Sequence, residues 1–98
     1  MPADDGQRLD GRVRANLLYD FYAPLLTQRQ RDVYEMRYFS DLSLAEIAET
    51  LGVTRQAVHI LVNRTAEKLF ALEKDLGFAA QVERLENRIK ELEAENYV

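Results

Sequence analysis

Residues 43–64 read SLAEIAETLGVTRQAVHILVNR, and this stretch decides the fold. Ser43, followed three residues later by Glu46, forms the capping-box pattern that begins a helix. Gly52 lies just past the apolar face of that helix, where a residue with positive φ commonly ends one. Thr54 is then a good N-cap for the next helix. Two helices joined by a short glycine-containing turn predict a helix-turn-helix.

The second helix of this motif carries polar side chains that suit nucleic acid. Its N-terminal residues would meet base edges in a major groove, where arginine suits guanine and glutamine suits adenine. The predicted recognition residues are Thr54, Arg55, Gln56, His59, Asn63 and Arg64, with Gly52 as the turn. Of these, Asn63 and Arg64 lie further along the helix, where phosphate or solvent is expected. A compact three-helix junction with no nucleic-acid partner would carry the same caps and turn.

Apolar residues on both helices of the motif are expected to fill the wedge between them. These residues are Ile47, Leu51, Val53, Val58 and Leu61. Ala48 is small at the position where the second helix must cross closely. The spacing therefore predicts a packed pair of helices with a fixed crossing angle.

The residues before the motif predict two further helices. An apolar face with helical spacing is formed by Val13, Leu17, Leu18, Phe21, Tyr22 and Leu25. Pro24 cannot donate a backbone hydrogen bond, so the first helix is expected to bend or end near Ala23. Thr27 and Gln30 form a second capping box, which predicts a helix over residues 28–39.

The residues after the motif predict one long helix and then an amphipathic one. No helix breaker follows Thr54 until Gly77. Beyond Gly77, five apolar residues step by 4, 3, 4 and 3 in the heptad alternation of a coiled-coil seam, namely Phe78, Val82, Leu85, Ile89 and Leu92. Arg88 and Glu93 fall at g and e positions, where opposite charges pair between strands. This seam is expected to bind a partner helix or a second copy of the chain. Binding to a second copy would give a homodimer, which is the expected state.

The chain is therefore predicted to be all-α, with about five helices in a helix-turn-helix bundle followed by a coiled-coil-like helix. Residues 1–12, which contain charges, two glycines and a proline, are predicted to be a flexible tail. Residues 13–77 form the predicted helix-turn-helix domain. Residues 78–98 form the predicted C-terminal amphipathic helix.

Composition excludes several classes of function. The 98 residues include no cysteine and a single histidine, so neither a thiolate metal site nor a Ser-His-Asp triad is expected. No nucleophile–base pair or phosphate-binding loop is visible, and the chain is predicted not to be an enzyme and to need no cofactor. No apolar run approaches the roughly 20 residues that span a bilayer. Without a signal-peptide pattern, a cytoplasmic location and no membrane insertion are expected.

The formal net charge of −4 is unevenly distributed along the chain. Residues 1–26 carry three basic and four acidic groups, and residues 27–68 carry six of each. Residues 69–98 carry four basic and seven acidic groups, so the acidic excess lies mainly at the C-terminal end. The neutral helix-turn-helix predicts weak non-specific binding to DNA, and it favours protein or ribonucleoprotein contacts.

Residues 26–69, LTQRQRDVYEMRYFSDLSLAEIAETLGVTRQAVHILVNRTAEKL, resemble the C-terminal DNA-binding region of bacterial sigma factors. This resemblance covers under half of the chain and implies that the helix over residues 54–64 reads promoter DNA. No other sigma region is present to bind core polymerase or melt a promoter. A working sigma factor is therefore not expected.

A more specific resemblance is to the YlxM family of small bacterial proteins. It covers residues 19–78 and is carried by the "FY" pair, the "LLT" helix entry, the "YF-D-SLAEIAE" block and the "V-RQAV" block. It implies an all-helical, sigma-like fold and a regulatory role in the signal recognition particle pathway. The implied partners are the particle's GTPase, its receptor or its RNA, with DNA as a further possibility. By this resemblance Arg55, Gln56 and His59 take the recognition role.

The chain departs from the expected YlxM pattern at Pro24 and over the glutamate-rich residues 83–95. Three functions therefore stay open. The first is regulation of the signal recognition particle pathway through protein or nucleic-acid contacts. The second is sequence-specific DNA binding by a transcriptional regulator. The third is a structural adaptor that dimerises through its C-terminal helix.

Overall fold

The computed structural model describes residues 13–96, and these residues form helices joined by short turns. Helix α1 covers residues 13–22 of the described part. It is followed by a 3-10 turn at Ala23–Leu25 and by helices α2 (Gln28–Tyr38), α3 (Leu44–Leu51), α4 (Arg55–Leu76) and α5 (Phe78–Asn96). No strand occurs between residues 13 and 96, and the all-α prediction is confirmed. The predicted tail over residues 1–12 lies outside the described residues.

Local sequence signals set the helix ends as expected. The Thr27 hydroxyl accepts from the Gln30 amide at 3.1 Å, and the Gln30 side chain accepts from the Thr27 amide at 2.9 Å. Ser43 and Glu46 make the same reciprocal pair at 3.0 and 3.1 Å. Such capping boxes satisfy backbone donors that the first helical turn leaves unpaired. Both α2 and α3 therefore begin where the sequence predicts.

Two glycines end helices α3 and α4. Gly52 has φ 69° after α3, and Gly77 has φ 65° after α4. Residues with a Cβ rarely adopt this left-handed conformation, so glycine is favoured at both positions. Gly52 turns the chain from α3 into α4, and Gly77 turns it from α4 into α5.

The buried side chains form two clusters. The tyrosine cluster joins α1, α2 and α4 and contains Ala15, Leu18, Tyr19, Tyr22, Leu26, Tyr34 and Leu69. The helix-turn-helix cluster joins α2, α3 and α4 and contains Val33, Ile47, Ala48, Val58 and Val62. Val33 and Tyr34 are neighbours on α2 but belong to different clusters. Helix α2 therefore packs against both halves of the bundle.

The apolar face predicted for α1 is only partly correct. Leu18 and Tyr22 are buried, whereas Val13, Leu17, Phe21 and Leu25 are exposed. The buried side of α1 consists of Ala15, Leu18, Tyr19 and Tyr22, which repeat at steps of three, one and three. The first prediction was wrong because two apolar stripes with helical spacing run along this helix. Spacing alone does not show which stripe meets the bundle.

The wedge between α3 and α4 also differs in one residue from the prediction. Ile47 and Val58 are fully buried there, but Val53 is 41% exposed. The left-handed backbone at Gly52 turns the chain, and the following Val53 side chain is left outside the buried cluster. Met36 and Leu42, from outside the motif, pack against the cluster instead.

Helix α5 is anchored to the bundle by side chains from two other helices. The Glu73 carboxylate accepts hydrogen bonds from the Tyr22 hydroxyl at 2.5 Å and from the Ala79 and Ala80 amides at 3.0 Å each. The Tyr22 hydroxyl in turn accepts from the Phe78 amide at 3.1 Å. We call the Tyr22–Glu73 pair the α5 anchor. It satisfies the first amides of α5, a role that usually falls to the residue just before a helix.

The α5 anchor also changes the titration of its two groups. The Tyr22 hydroxyl donates to the Glu73 carboxylate and, with the amides of α5, holds the pKa of Glu73 below its usual value. Burial, followed by the nearby Glu73 carboxylate, raises the pKa of Tyr22. Both shifts favour an ionised Glu73 and a protonated Tyr22, which is the pairing that holds α5.

Candidate nucleic-acid interface

The first turns of α4 are held rigidly against α3. The Thr54 hydroxyl accepts from the Ala57 amide at 3.0 Å and fixes the start of α4. On the inner face, Val58 and Val62 are buried against Ile47 and Ala48 of α3. This packing leaves the opposite side of α4 free to meet another molecule. The arrangement has the element order of a DNA-binding helix-turn-helix, in which the second helix presents its N-terminal residues.

The exposed side of α4 brings together four of the predicted recognition residues. Arg55, Gln56, His59 and Asn63 are all exposed. With 3.6 residues per helical turn, these four side chains lie on one continuous side of the helix. Arg55, Gln56 and His59 also line a shallow depression that Leu44 of α3 completes. The residues closest to the turn therefore share one surface, and their recognition role stays a prediction.

His59 and Asn63 contact each other along this surface. Asn63 Nδ2 lies 3.1 Å from His59 Nε2, and it donates when that nitrogen carries no proton. The contact joins residues four apart, which are neighbours on a helix surface. It orients both side chains on the surface of α4.

Thr54 and Arg64 differ from the other predicted recognition residues. The Thr54 hydroxyl is engaged in the helix cap, so its main role is to position α4. Arg64 is exposed but lies nine residues after Arg55, at the far edge of the exposed side. A contact with a phosphate at the edge of a groove suits Arg64 better than a contact with a base.

The structure separates structural arginines from available ones. The Arg31 guanidinium donates to the carbonyls of Ala23 and Leu26 at 3.1 and 2.8 Å, and Arg37 donates to the Leu42 carbonyl at 3.1 Å. These two cations hold turns in place. Near the recognition helix, the exposed arginines are Arg29, Arg55 and Arg64. Arg29, Arg31 and Arg37 have similar sequence surroundings, so this division was not predictable.

Arg29 is the functional candidate that the sequence did not indicate. It lies on α2, yet with Val53 and Ala57 it lines a small depression beside the turn. Its guanidinium can therefore reach a phosphate that runs past the turn between α3 and α4. Charge spacing along α2 gives no signal of this approach, because it depends on how α2 crosses the motif.

The surface around the recognition helix is less acidic than the rest of the chain. Residues 50–66 include Arg55, His59 and Arg64 and no aspartate or glutamate. The nearest acidic residues along the chain are Glu49 before this segment and Glu67 after it. The module is neutral as a whole, but the exposed side of residues 55–64 carries only positive formal charge. Such a local patch suits a polyanion even in an acidic protein.

The predicted seam of α5 is partly occupied within the molecule. The Phe78 ring lies 6.3 Å from the Tyr22 ring, and Val82 is half-buried. Leu85, Ile89 and Leu92 remain exposed on the outer part of α5. The seam therefore divides into a first part beside the bundle and a second part that no other described residue covers.

Other kinds of site find no support among the residues that the structure describes. Between residues 13 and 96, no three histidine, aspartate or glutamate side chains come together as they would around a metal ion. Over the same range, no helix is both long enough and apolar enough to cross a membrane. The exposed side of α4 is the candidate site that the described part of the chain supports best.

Comparison with known proteins agrees with this architecture. A UPF0122 protein of Symbiobacterium thermophilum is 48% identical over 80 residues, which is 82% of this chain and 75% of that protein. A Listeria welshimeri relative is 43% identical over 82 residues, covering 84% of this chain and 74% of the relative. A Thermoanaerobacter relative is 40% identical over 76 residues, covering 78% of this chain and 65% of its own length. This chain therefore spans slightly less than two thirds of the Thermoanaerobacter relative.

A family model gives the same result over nearly the whole chain. The UPF0122 model, described as YlxM/p13-like with a helix-turn-helix, matches residues 9–98. The description names a helix-turn-helix protein and not an enzyme. Together with the helices α3 and α4 and the glycine turn between them, these matches establish that the chain belongs to the UPF0122 family of YlxM/p13-like helix-turn-helix proteins.

Proposed function

We propose that this protein is a regulator that binds duplex DNA with the exposed side of α4. The observation that carries the proposal is the single surface formed by Arg55, Gln56 and His59 at the start of a rigidly packed α4. Arginine and glutamine can each make two hydrogen bonds to a base edge in the major groove. Arg29 beside the turn and Arg64 at the far edge are placed to meet the flanking phosphates.

The geometry favours DNA over double-stranded RNA. The major groove of B-form DNA admits an α-helix, whereas the major groove of A-form RNA is too deep and narrow for side chains to read. An exposed helix that projects base-reading side chains therefore matches DNA. With Arg29 and Arg64 placed to meet phosphates, the logarithm of the binding constant should fall with the logarithm of salt concentration with a slope of about −2.

The test is binding to a duplex selected from a random library with the wild-type chain. Fluorescence anisotropy is then measured for Arg55→Ala and Gln56→Ala on the selected duplex and on a scrambled one. Each substitution removes a base contact, so we expect a loss of about 1–3 kcal/mol on the selected duplex and reduced discrimination. Arg29→Ala and Arg64→Ala should weaken binding to both duplexes alike, because phosphate contacts carry no direct sequence information.

Arg84→Ala provides the matched control. Arg84 is an exposed arginine on α5 that donates to the Gln81 side chain, far along the chain from the recognition surface. The Arg84→Ala substitution changes the net charge by the same amount as Arg55→Ala. If Arg84→Ala weakened binding to the selected duplex as much as Arg55→Ala, net charge would explain the effect and α4 would not read bases.

A second candidate function is regulation of the signal recognition particle pathway. It is supported by the YlxM-type family membership and by the neutral charge of residues 27–68, which predicts weak non-specific DNA binding. We expect the chain to bind the particle's GTPase, its receptor or its RNA at micromolar concentration. Binding assays with each of the three test this function, and failure to bind any of them would exclude it. Both candidate functions require a cytoplasmic location.

A further inference from the structure

The outer part of α5 stands clear of the bundle. Every residue from Glu83 to Asn96 is exposed, whereas Ala79, Ala80 and Val82 at the start of α5 are partly buried. The molecule is 60 Å long but only 35 and 23 Å across its other two axes. A helix of this length without tertiary contacts is only marginally stable in water. The outer part of α5 therefore has the length and exposure of a helix that a partner stabilises.

One side of this exposed segment is apolar. Leu85, Ile89 and Leu92 are 54%, 53% and 43% exposed and lie on the same side of α5. With the half-buried Val82 they continue the heptad pattern, in which Val82 and Ile89 take a positions and Leu85 and Leu92 take d positions. β-Branched residues at a combined with leucine at d favour two parallel strands over three or four. The seam therefore fits one partner helix of the same kind.

The flanking charges distinguish the two possible orientations. In a parallel, in-register pair, each g position faces the e position of the next heptad on the other strand. Arg88 at g would then face Glu93 of the second copy, and this pair would form twice. Gln81 at g would face Glu86 of the second copy. No like charges meet in this arrangement.

An antiparallel pair would bring like charges together. If Leu85 of one copy packs against Ile89 of the other, the e positions approach each other and so do the g positions. Glu86 would then lie beside Glu86 of the second copy, and Arg88 beside Arg88 of the second copy. Such contacts are destabilising, so the charge pattern opposes this orientation.

We propose that α5 binds a second copy of this chain as a parallel, in-register, two-stranded coiled coil along Val82, Leu85, Ile89 and Leu92. The Arg88–Glu91 ion pair seen within one chain is fully at the surface and contributes little. It can exchange for the Arg88–Glu93 pair between copies. The two bundles then lie at the same end of the coiled coil. This inference does not depend on the nucleic-acid function proposed above.

The orientation can be tested by cross-linking, because the chain contains no natural cysteine. In the parallel pair, residue 92 faces residue 92 of the second copy across the seam. Leu92→Cys is therefore expected to form a disulfide-linked dimer on mild oxidation, seen by non-reducing electrophoresis. Ala94→Cys is the matched control, because position 94 faces away from the seam. We expect little cross-linking for the control under the same conditions.

A mass measurement on the unmodified chain completes the test. Sedimentation velocity from about 1 to 500 μM should show the wild-type dimer, and this range covers weak association. Ile89→Glu should remain monomeric over that range, whereas Asn87→Glu on the outer side of α5 should still dimerise. A wild-type monomer throughout would overturn the proposal. Cross-linking by a Val82→Cys/Leu92→Cys double variant but not by Leu92→Cys would overturn the parallel orientation, as would equal cross-linking of Ala94→Cys.

Discussion

Replacing Tyr22 with alanine is expected to lower the free energy of unfolding by about 4 kcal/mol, because a buried aromatic ring and its hydroxyl contacts are lost together. Tyr22 is 0% exposed and belongs to the tyrosine cluster. Its ring also stacks beside Phe78, and its hydroxyl is half of the α5 anchor. Domains are usually stable by only 5–15 kcal/mol, so this loss is a large fraction of the total. Urea unfolding followed by circular dichroism measures it.

Two variants separate the contributions of the ring and the hydroxyl. Tyr22→Phe keeps the ring and removes only the contacts to Glu73 and Phe78, so a smaller loss of about 1–2 kcal/mol is expected. Phe21→Ala removes the neighbouring aromatic ring, which is 40% exposed, and should cost less than Tyr22→Ala. Equal losses for Phe21→Ala and Tyr22→Ala would contradict the assignment of Tyr22 to the core.

The α5 anchor also gives this prediction a pH signature. Because the folded pKa of Glu73 is below the ordinary value of 4.5, its carboxylate stabilises the fold above that value. The contribution is lost as the pH falls through the lowered folded pKa. The difference in the free energy of unfolding between the wild type and Glu73→Gln should therefore be largest near neutral pH. It should become small in acid. A difference that is independent of pH would show that Glu73 does not act through its charge.

Replacing Ile47 with alanine is expected to cost about 3 kcal/mol and to loosen the helix-turn-helix itself. Ile47 is 0% exposed and packs between α3 and α4 with Val58 and Val62. The cavity left by the shorter side chain removes the contacts that set the angle of the recognition helix. Urea unfolding should show the loss, and binding to the selected duplex should weaken although residue 47 lies behind the recognition surface.

Ile60→Ala is the matched control for this prediction. Ile60 lies on α4 and is 41% exposed, so losing its side chain should change stability by less than about 1 kcal/mol. The two variants remove the same atoms from a buried and from a partly exposed site. Equal destabilisation by both would mean that the α3–α4 contact does not hold the motif together.

The helix ends of this protein were predictable because each is set by residues close together in the sequence. The capping boxes at Thr27 and Ser43, the turn at Gly52 and the stop at Gly77 all depend on signals within a few residues. Pro24 likewise produces the short 3-10 turn at the end of α1. The polar side chains at the start of α4 lie on its exposed side, whereas their recognition role stays a prediction. Local hydrogen bonding and backbone conformation therefore explain most of the element order.

The features that were not predictable all join residues far apart in the chain. Tyr22 and Glu73 are 51 residues apart, yet together they cap α5. The second apolar stripe of α1 and the approach of Arg29 to the turn also depend on how helices cross. Hydrophobic periodicity gives the faces of a helix but does not rank two similar faces. Tertiary packing decides which face of α1 is buried and which distant residues meet, so the structure was needed for each of these features.

Helix α4 is one uninterrupted element that carries the recognition residues at its first turn and Glu73 of the α5 anchor in its last turn. At 1.5 Å per residue, its 22 residues span about 33 Å. Because α4 is one continuous helix, a tilt at one end displaces the residues at the other end. A tilt of about 6° imposed at the α5 end moves Arg55 by about 3.4 Å, which is the distance between successive bases along one strand of DNA. In the DNA complex proposed above, a partner that shifts α5 would therefore change which base Arg55 meets.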